Sequence, residues 1–375
     1  MNERAAAPRL GDRQRLAWLR LIRTQNVGPA SFRDLINRFG SAETALEMLP
    51  ELMISGGLNK TVRIPSVAEA EAEMEAARKA GARFVAIGEP DYPPLLTTID
   101  HPPPLLAMKG EGAVFGLPAV AIVGARNASL AGIKMARTLA AELGRDGYGI
   151  VSGLARGIDT AAHQGSLSTG TVGVLAGGLD MPYPPENIDL IDEICERGGA
   201  VISEMPFGWQ PRAQDFPRRN RLVAGASFGL VVVEAAKRSG SLISARLAGE
   251  MGRLMFAVPG SPLDPRAGGT NGLIKDGAAL VTEAADISAA IAPLTGVTAS
   301  RAARLEEPPD FSATPPPGEE GRARVVEALG PTPVLPDEII HHTGLHPAQV
   351  FMVLLELDLA GRLERHAGGS VSLIL

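Results

Sequence analysis

The sequence predicts an α/β protein: a doubly wound parallel sheet, with a helical module ahead of it and a three-helix module ending in a short hairpin behind it. Three observations carry this. Between about Val114 and Ile291, apolar runs bounded by glycines alternate with helical patterns, the sequence form of a parallel sheet covered by helices. Leu16, Leu19, Leu21 and Ile22 have helical spacing ahead of that region. Beyond a stretch containing Pro308-Pro309 and Pro315-Pro316-Pro317, helical spacing returns in three segments.

With 375 residues there is material for several domains, and composition breaks place them at 13–97, 98–291, a Pro-rich linker at 292–320, and 321–375. The net charge of −6 argues against a protein that is basic all over, so any polyanion site must be a local patch. The single cysteine, Cys195, excludes an intrachain disulfide and a cysteine-rich metal site, and a buried structural thiol is expected there. There is no long apolar run, and the arginine-bearing start (Arg4, Arg9, Arg13, Arg15) lacks the apolar core of a secretory signal. A cytoplasmic protein with no membrane association, no cofactor and no metal is the expectation.

In chain order, the helix around Leu16 to Ile22 leads to Asn26-Val27-Gly28-Pro29 and a second helix ending at Phe39-Gly40. The pattern resembles a SAM/helix-hairpin-helix-like element, whose turn can offer backbone N–H groups to a phosphate. A small helical bundle without a ligand reads equally well. Pro65 to Ala80 predicts a helix, Phe84 to Ile87 a short strand, and the segments at Tyr92-Pro93-Pro94 and His101 to Leu106 extended joints.

In the core, strands are expected at Ala119 to Val123, Gly149 to Ser152, Thr171 to Leu175, Ala200 to Ser203, Gly229 to Val233 and Leu254 to Val258. Helices fall between them, which makes the core Rossmann-like. Ligands of such sheets sit beyond the carboxyl ends of the strands. After the first strand, Gly124-Ala125-Arg126-Asn127 lacks the GxGxxG fingerprint, and no acidic residue ends the second strand to hold a ribose. A short glycine turn with Arg126 suits a phosphate better than a dinucleotide, unless Arg126 only pairs with a helix. The second loop carries Gly153, Arg156 and Asp159, with His163 four residues on, where packing is commoner than catalysis. The third runs into Tyr183, a stacking or a structural residue. A fourth, long loop ends in Phe216-Pro217-Arg218-Arg219-Asn220-Arg221, one ring and three guanidiniums in six residues. A fifth offers Gly240 and Ser241 at a helix start. Arginine forks fit phosphate oxygens and stack on bases, whereas an isolated charge run is often only a solvated face. Arg221 leads into the helical run from Leu222, so it can brace that helix while Arg218 and Arg219 face a ligand.

The ordered motifs GARN, SGLARGIDTAAH, AGGLDMPYPPEN, FPRRNRLVAGAS, SGSLISA and FAVPGS followed by TNGLIKDGA resemble those of the bacterial DNA-processing protein A (DprA/Smf) family, over about Leu95 to Val281. The resemblance implies a homodimeric protein that binds and protects single-stranded DNA and loads a RecA-type recombinase on it during natural transformation, without catalysis. It also implies that Gly124 and Arg126 hold a phosphate and that Phe216, Arg218, Arg219, Asn220 and Arg221 line the same pocket. Ala125 departs from the family's usual hydroxyl residue. The competing class is a nucleotide-binding N-glycosidic hydrolase of the lysine-decarboxylase-like superfamily, whose signature resembles GGxGTxxE. Aligned on Gly240-Ser241, that signature puts Ser244 where the glutamate should be, and a serine cannot act as the carboxylate.

At the C-terminal end, helices are expected at Arg324 to Leu329, Pro336 to His342 and Pro347 to Leu359, and a wing from Arg362 to Leu375. This resembles a winged helix with a helix-turn-helix turn at Thr343-Gly344-Leu345. The helix from Pro347 should enter a groove, yet it has no lysine or arginine, which favours protein contact over duplex readout. His341, His342 and His346 are expected at the surface, with no metal implied.

Overall fold

The structure is a computed structural model, and it describes residues 9–55, 63–295 and 317–374. The chain opens with α1 (Asp12–Arg23), α2 (Pro29–Phe39), α3 (Ala42–Ser55) and α4 (Val67–Lys79). The core follows as β1 (Ala82–Ala86), β2 (Leu105–Gly110), β3 (Ala119–Gly124), α5 (Leu130–Arg145), β4 (Gly149–Ser152), α6 (Ile158–Ser166), β5 (Thr171–Val174), α7 (Ile188–Glu196), β6 (Ala200–Ser203), α8 (Asp215–Gly225) and β7 (Gly229–Val233). It continues through α9 (Ser241–Glu250), β8 (Leu254–Ala257), α10 (Gly268–Lys275), β9 (Ala279–Leu280) and α11 (Ala284–Thr295). The last elements are α12 (Glu319–Ala328), α13 (Pro336–Thr343), α14 (Pro347–Leu359), β10 (Leu363–Arg365) and β11 (Val371–Leu373). They divide into two compact units, one from Ala72 through the sheet, the other from the helices up to Glu71 together with the C-terminal elements.

In the first unit the strand order is β1-β2-β6-β5-β4-β3-β7-β8-β9. Pairing is parallel from β6 to β9, and β2 and β1 add antiparallel at one edge. Alternation along β3 divides the core: Val120 and Ile122 pack with α5, α6 and α11, while Ala121 and Val123 pack with α8 and α9. Both faces are covered, so the strands read as unbroken apolar runs. From β3 the chain winds outward through β4, β5 and β6, then returns to β7 on the other side of β3, which makes the carboxyl ends of β3, β4 and β7 a topological switch point.

The sheet starts earlier than the sequence indicated. Leu105 to Gly110 is not a joint but a strand registered against β6, and β1 zips onto it, so residues 82–97 belong with the core rather than the N-terminal module. Hydrogen bonding to an existing edge, which no local pattern records, decides this. The basic stretch is likewise not a loop. It lies inside α8, where Pro217 is tolerated because first-turn N–H groups have no helical acceptor. Cys195 is half-buried rather than buried, and desolvation pushes its thiol up to about 11. Most of the expected Pro-rich linker, residues 296–316, lies outside the described residues.

In the second unit, α2 starts with Pro29 and ends on Gly40 in the left-handed region (φ 72), and α13 starts with Pro336 and ends on Gly344 (φ 65). α14 carries two apolar faces because it is covered on two sides. Met352, Leu355 and Leu359 share a cluster with Leu21, Phe32, Leu35 and Leu49, while Val350, Val353, Leu354 and Leu357 pack with Val325, Ile339, Leu363 and Val371. His341, His342 and His346 are exposed. Among the described residues no helix is long and apolar enough to cross a membrane.

Candidate nucleic-acid interface

The helical period sorts the basic stretch into two faces. Phe216 and Arg219, three apart, point to the carboxyl end of the sheet, while Arg218 and Arg221, also three apart, converge on Glu204 at 2.9 and 2.5 Å. Arg221 also donates to the His101 carbonyl at 3.2 Å and so braces α8, and Arg218, expected to face the ligand, is drawn to the same carboxylate; neither lines the depression at the strand ends. Asn220 is half-buried on this helix. Upstream, the Asp215 carboxylate accepts from the Arg212 backbone N–H (2.8 Å) and the Trp209 indole N–H (2.9 Å), which fixes where α8 begins.

Arg219 is 6% exposed. Its Nη1 donates to the Val174 carbonyl at 3.1 Å, and its buried Nε has no hydrogen-bond partner. Desolvation lowers its pKa to about 10, with Asp159 opposing the drop and Arg126 adding to it, so it stays charged at neutral pH. Asp159 is buried and accepts from the backbone N–H groups of Gly153 (3.1 Å) and Ala155 (3.3 Å). Burial raises its pKa, and Arg219 is the main opposing influence. Gly153 is glycine for a steric reason: a Cβ there would lie 1.6 Å from Arg219 Nη1.

Arg126 stacks over Phe216, with Cζ 5.1 Å from the ring centroid, and Arg219 approaches the same ring at 6.0 Å. Tyr183 meets Phe216 edge-on at 6.0 Å and is 46% exposed. Together Arg126, Gly153, Ala155, Arg156, Ala176, Tyr183, Pro184, Phe216 and Arg219 line a shallow, open depression. Arg156 stands at its rim, 3.8 Å from Glu186 with both side chains exposed, a contact worth little in water. His163 lies fully buried beneath, its Nδ1 2.7 Å from Thr171 Oγ1, and burial lowers its pKa to about 3, so it packs as a neutral ring.

Several expected residues do not line this depression. A Cβ on Gly124 would lie 1.9 Å from the Val233 carbonyl oxygen, so this glycine serves the close approach of β3 and β7. The N-terminus of α5, where its loop was expected to seat a phosphate, already holds a carboxylate. Glu234 Oε2 accepts from the Ser129 N–H at 2.8 Å, Oε1 is bonded to the Ser129 hydroxyl, and Ser129 Oγ caps Gly132 N–H at 3.0 Å. Glu234 is far from this loop in sequence, which hid it. Gly240 and Ser241 begin α9 beyond β7, with Ser241 Oγ paired to Ser239 Oγ at 2.6 Å. Tyr183 was legible only as an aromatic of undecided role. Among the described residues no cluster of histidine, cysteine and acidic side chains could hold a metal.

Comparison with known proteins matches residues 83–292 to the family described as DNA recombination-mediator protein A, 12–76 to a DprA-like N-terminal HHH domain and 307–369 to a DprA winged helix domain. The chain is 39% identical over 287 residues to Protein Smf of Escherichia coli K12, covering 75% of each. It is 44% identical over 200 residues to DNA processing protein DprA of Streptococcus pneumoniae R6, covering 53% of this chain and 70% of the relative. The X-ray structure of DNA processing protein A from Streptococcus pneumoniae superposes with a TM-score of 0.60 at 32% identity, over 75% of this chain and 98% of that one. A structure of DNA processing protein A from Helicobacter pylori, described for its single-stranded DNA binding mode, gives 0.51 at 30%, over 56% of this chain and 96% of that one.

Proposed function

Since the chain belongs to the DNA recombination-mediator protein A (DprA/Smf) family, we propose that it binds single-stranded DNA in the Arg126–Phe216–Arg219 depression, protects it, and helps load a RecA-type recombinase on it in natural transformation, as a homodimer and without catalysis. The observation that carries the binding step is the buried Arg219 beside Arg126. Two guanidiniums flank one ring in the lining of an open depression on an acidic protein, one of them tied to the Val174 carbonyl and attracted by the buried Asp159. A phosphate there gains charge-assisted hydrogen bonds, and Tyr183 offers an exposed face to a base. The hydrolase reading needs a carboxylate where Ser244 stands, and that serine is buried in α9.

Anisotropy titration of the full chain against oligo-dT over a range of salt tests this. Arg126, Arg156 and Arg219 can meet two or three phosphates, so log affinity should fall against log salt with a slope of about −1.4 to −2. Arg126→Ala and Arg219→Met should each weaken binding by about 1–3 kcal/mol. Unchanged titrations for both would remove the site, and release of free base from a nucleoside monophosphate would favour the hydrolase.

A further inference from the structure

Two elements that meet nucleic acid in their usual settings, the turn of a helix-hairpin-helix and the second helix of a helix-turn-helix, face one another in the second unit. Met352, Leu355 and Leu359, at i, i+3 and i+7 on α14, sit in one core with Leu21, Phe32 and Leu35 of α1 and α2. Polar groups close the rim of that core. In the hairpin turn, Asn26 donates from Nδ2 to the Leu359 carbonyl at 3.1 Å, satisfying an acceptor that the end of α14 leaves open. Arg365 bridges Asp34 of α2 at 2.9 Å and Asp358 of α14 at 3.1 Å, a tie spanning 331 residues of sequence. The α14 carboxylate Glu356 is buried, held in a fork by Arg322 at 2.8 Å on both oxygens, and attracts Arg38 of α2.

We propose that α14 is a protein-docking surface whose partner is the N-terminal helical module of the same chain, so that the two modules form one clasped unit whose apposed faces do not contact duplex DNA. The chemistry of α14 fits this occupant and not a groove. Its apolar positions match an apolar cleft, its charged residues are acidic, and those acids find their counterions within the unit. A duplex would require cations on α14, yet its apposed face is covered and the positions left exposed, Pro347 and Phe351, carry no charge. The clasp is separate from the depression around Phe216, so either reading can fail alone.

Hydrogen exchange on the full chain tests the clasp. Asp34→Arg turns the Arg365 tie into a repulsion, and should accelerate exchange in α2 and in Met352 to Leu359 together, on the order of tenfold, as the coupled elements open as one. Asp34→Arg with Arg365→Asp should restore part of the protection, since the swapped pair forms again while the carboxylate at 365 loses the tie to Asp358, and oligo-dT affinity should be the same in all three proteins. If Asp34→Arg does not fold, Asp34→Asn removes only the ion pair and should give a several-fold rise in the same two segments. Faster exchange confined to α2 would overturn the proposal. So would protection that rises with protein concentration, which would make the partner a second copy's helices, or protection of α14 by added duplex.

Discussion

Gly153→Ala probes the packing that sets the guanidinium of Arg219. The backbone at 153 needs no positive φ, so alanine costs nothing there by itself. Its methyl would stand 1.6 Å from Nη1 and 2.4 Å from Cζ of Arg219, and the guanidinium must retreat by about 2 Å to reach ordinary contact. That opens the 3.1 Å bond to the Val174 carbonyl and draws the cation away from Asp159. A hydrogen bond to a charged group is worth about 1.5–3 kcal/mol, and the loss of stability should fall in that range. Urea unfolding of the parent, Gly153→Ala, Arg219→Met and the double variant measures it. With the guanidinium gone the methyl has room, so alanine should cost at least about 1 kcal/mol less in the Arg219→Met background. The same displacement should weaken oligo-dT binding roughly tenfold. If alanine is equally harmful in both backgrounds, Arg219 does not lie against Gly153. If stability falls and binding does not, Arg219 serves the fold alone.

Gly124→Ala should be worse, because the atom met at 1.9 Å is the Val233 backbone oxygen and β3 must part from β7; a loss of about 3 kcal/mol or more is expected in urea unfolding, and a variant as stable as its parent would contradict the packing. His163, lowered to about 3 from 6.5, binds its proton in the unfolded chain first, so its contribution is complete above about pH 6.5 and lost as pH falls toward 3. The depressed pKa corresponds to about 2 kcal/mol lost between pH 7 and 5, and His163→Gln should lose correspondingly less over that interval. Asp159, with its raised pKa, has the opposite sign and cancels in that comparison; parallel unfolding midpoints for parent and variant would refute the assignment. Glu234→Gln keeps hydrogen-bonding capacity but removes the charge at the N-terminus of α5, and should cost about 0.3–1 kcal/mol, less as salt is raised.

The parallel strands β3 to β8 were legible because they are apolar runs set off by glycine, and α5, α6, α7 and α9 because their apolar residues recur at helical spacing, whereas β9, two exposed residues long, and α3, α10 and α11 left no signal that was read. β2 was not, since its place depends on pairing with β6, nearly a hundred residues further along the chain. The site was legible as a set of loops carrying glycine and arginine at the strand ends. Its interior was not, because Gly153 and Gly124 look alike in sequence while one clears room for a side chain and the other for a strand. Glu234 shows the same limit. Nothing beside Gly124-Ala125-Arg126-Asn127 reveals that a carboxylate arriving from β7 fills the helix terminus an anion would need.

The basic run also shows why charge counted along a chain differs from charge offered to a ligand. Read as a loop, Arg218, Arg219 and Arg221 are three equivalent cations. Wound into α8, they separate: Glu204 draws Arg218 and Arg221 to one side, and Arg219 turns inward against Val174. The depression recovers its charge from other loops, Arg126 after β3 and Arg156 after β4, so its electrostatics depend on the sheet that brings those strand ends together. Arg218→Ala is therefore the informative contrast with Arg219→Met. Glu204, itself buried, keeps Arg221 as a partner when the half-exposed Arg218 is removed, and oligo-dT binding should change far less than for Arg219. Equal losses of binding for the two variants would mean that the strand passes over the outer face of α8 and not into the depression.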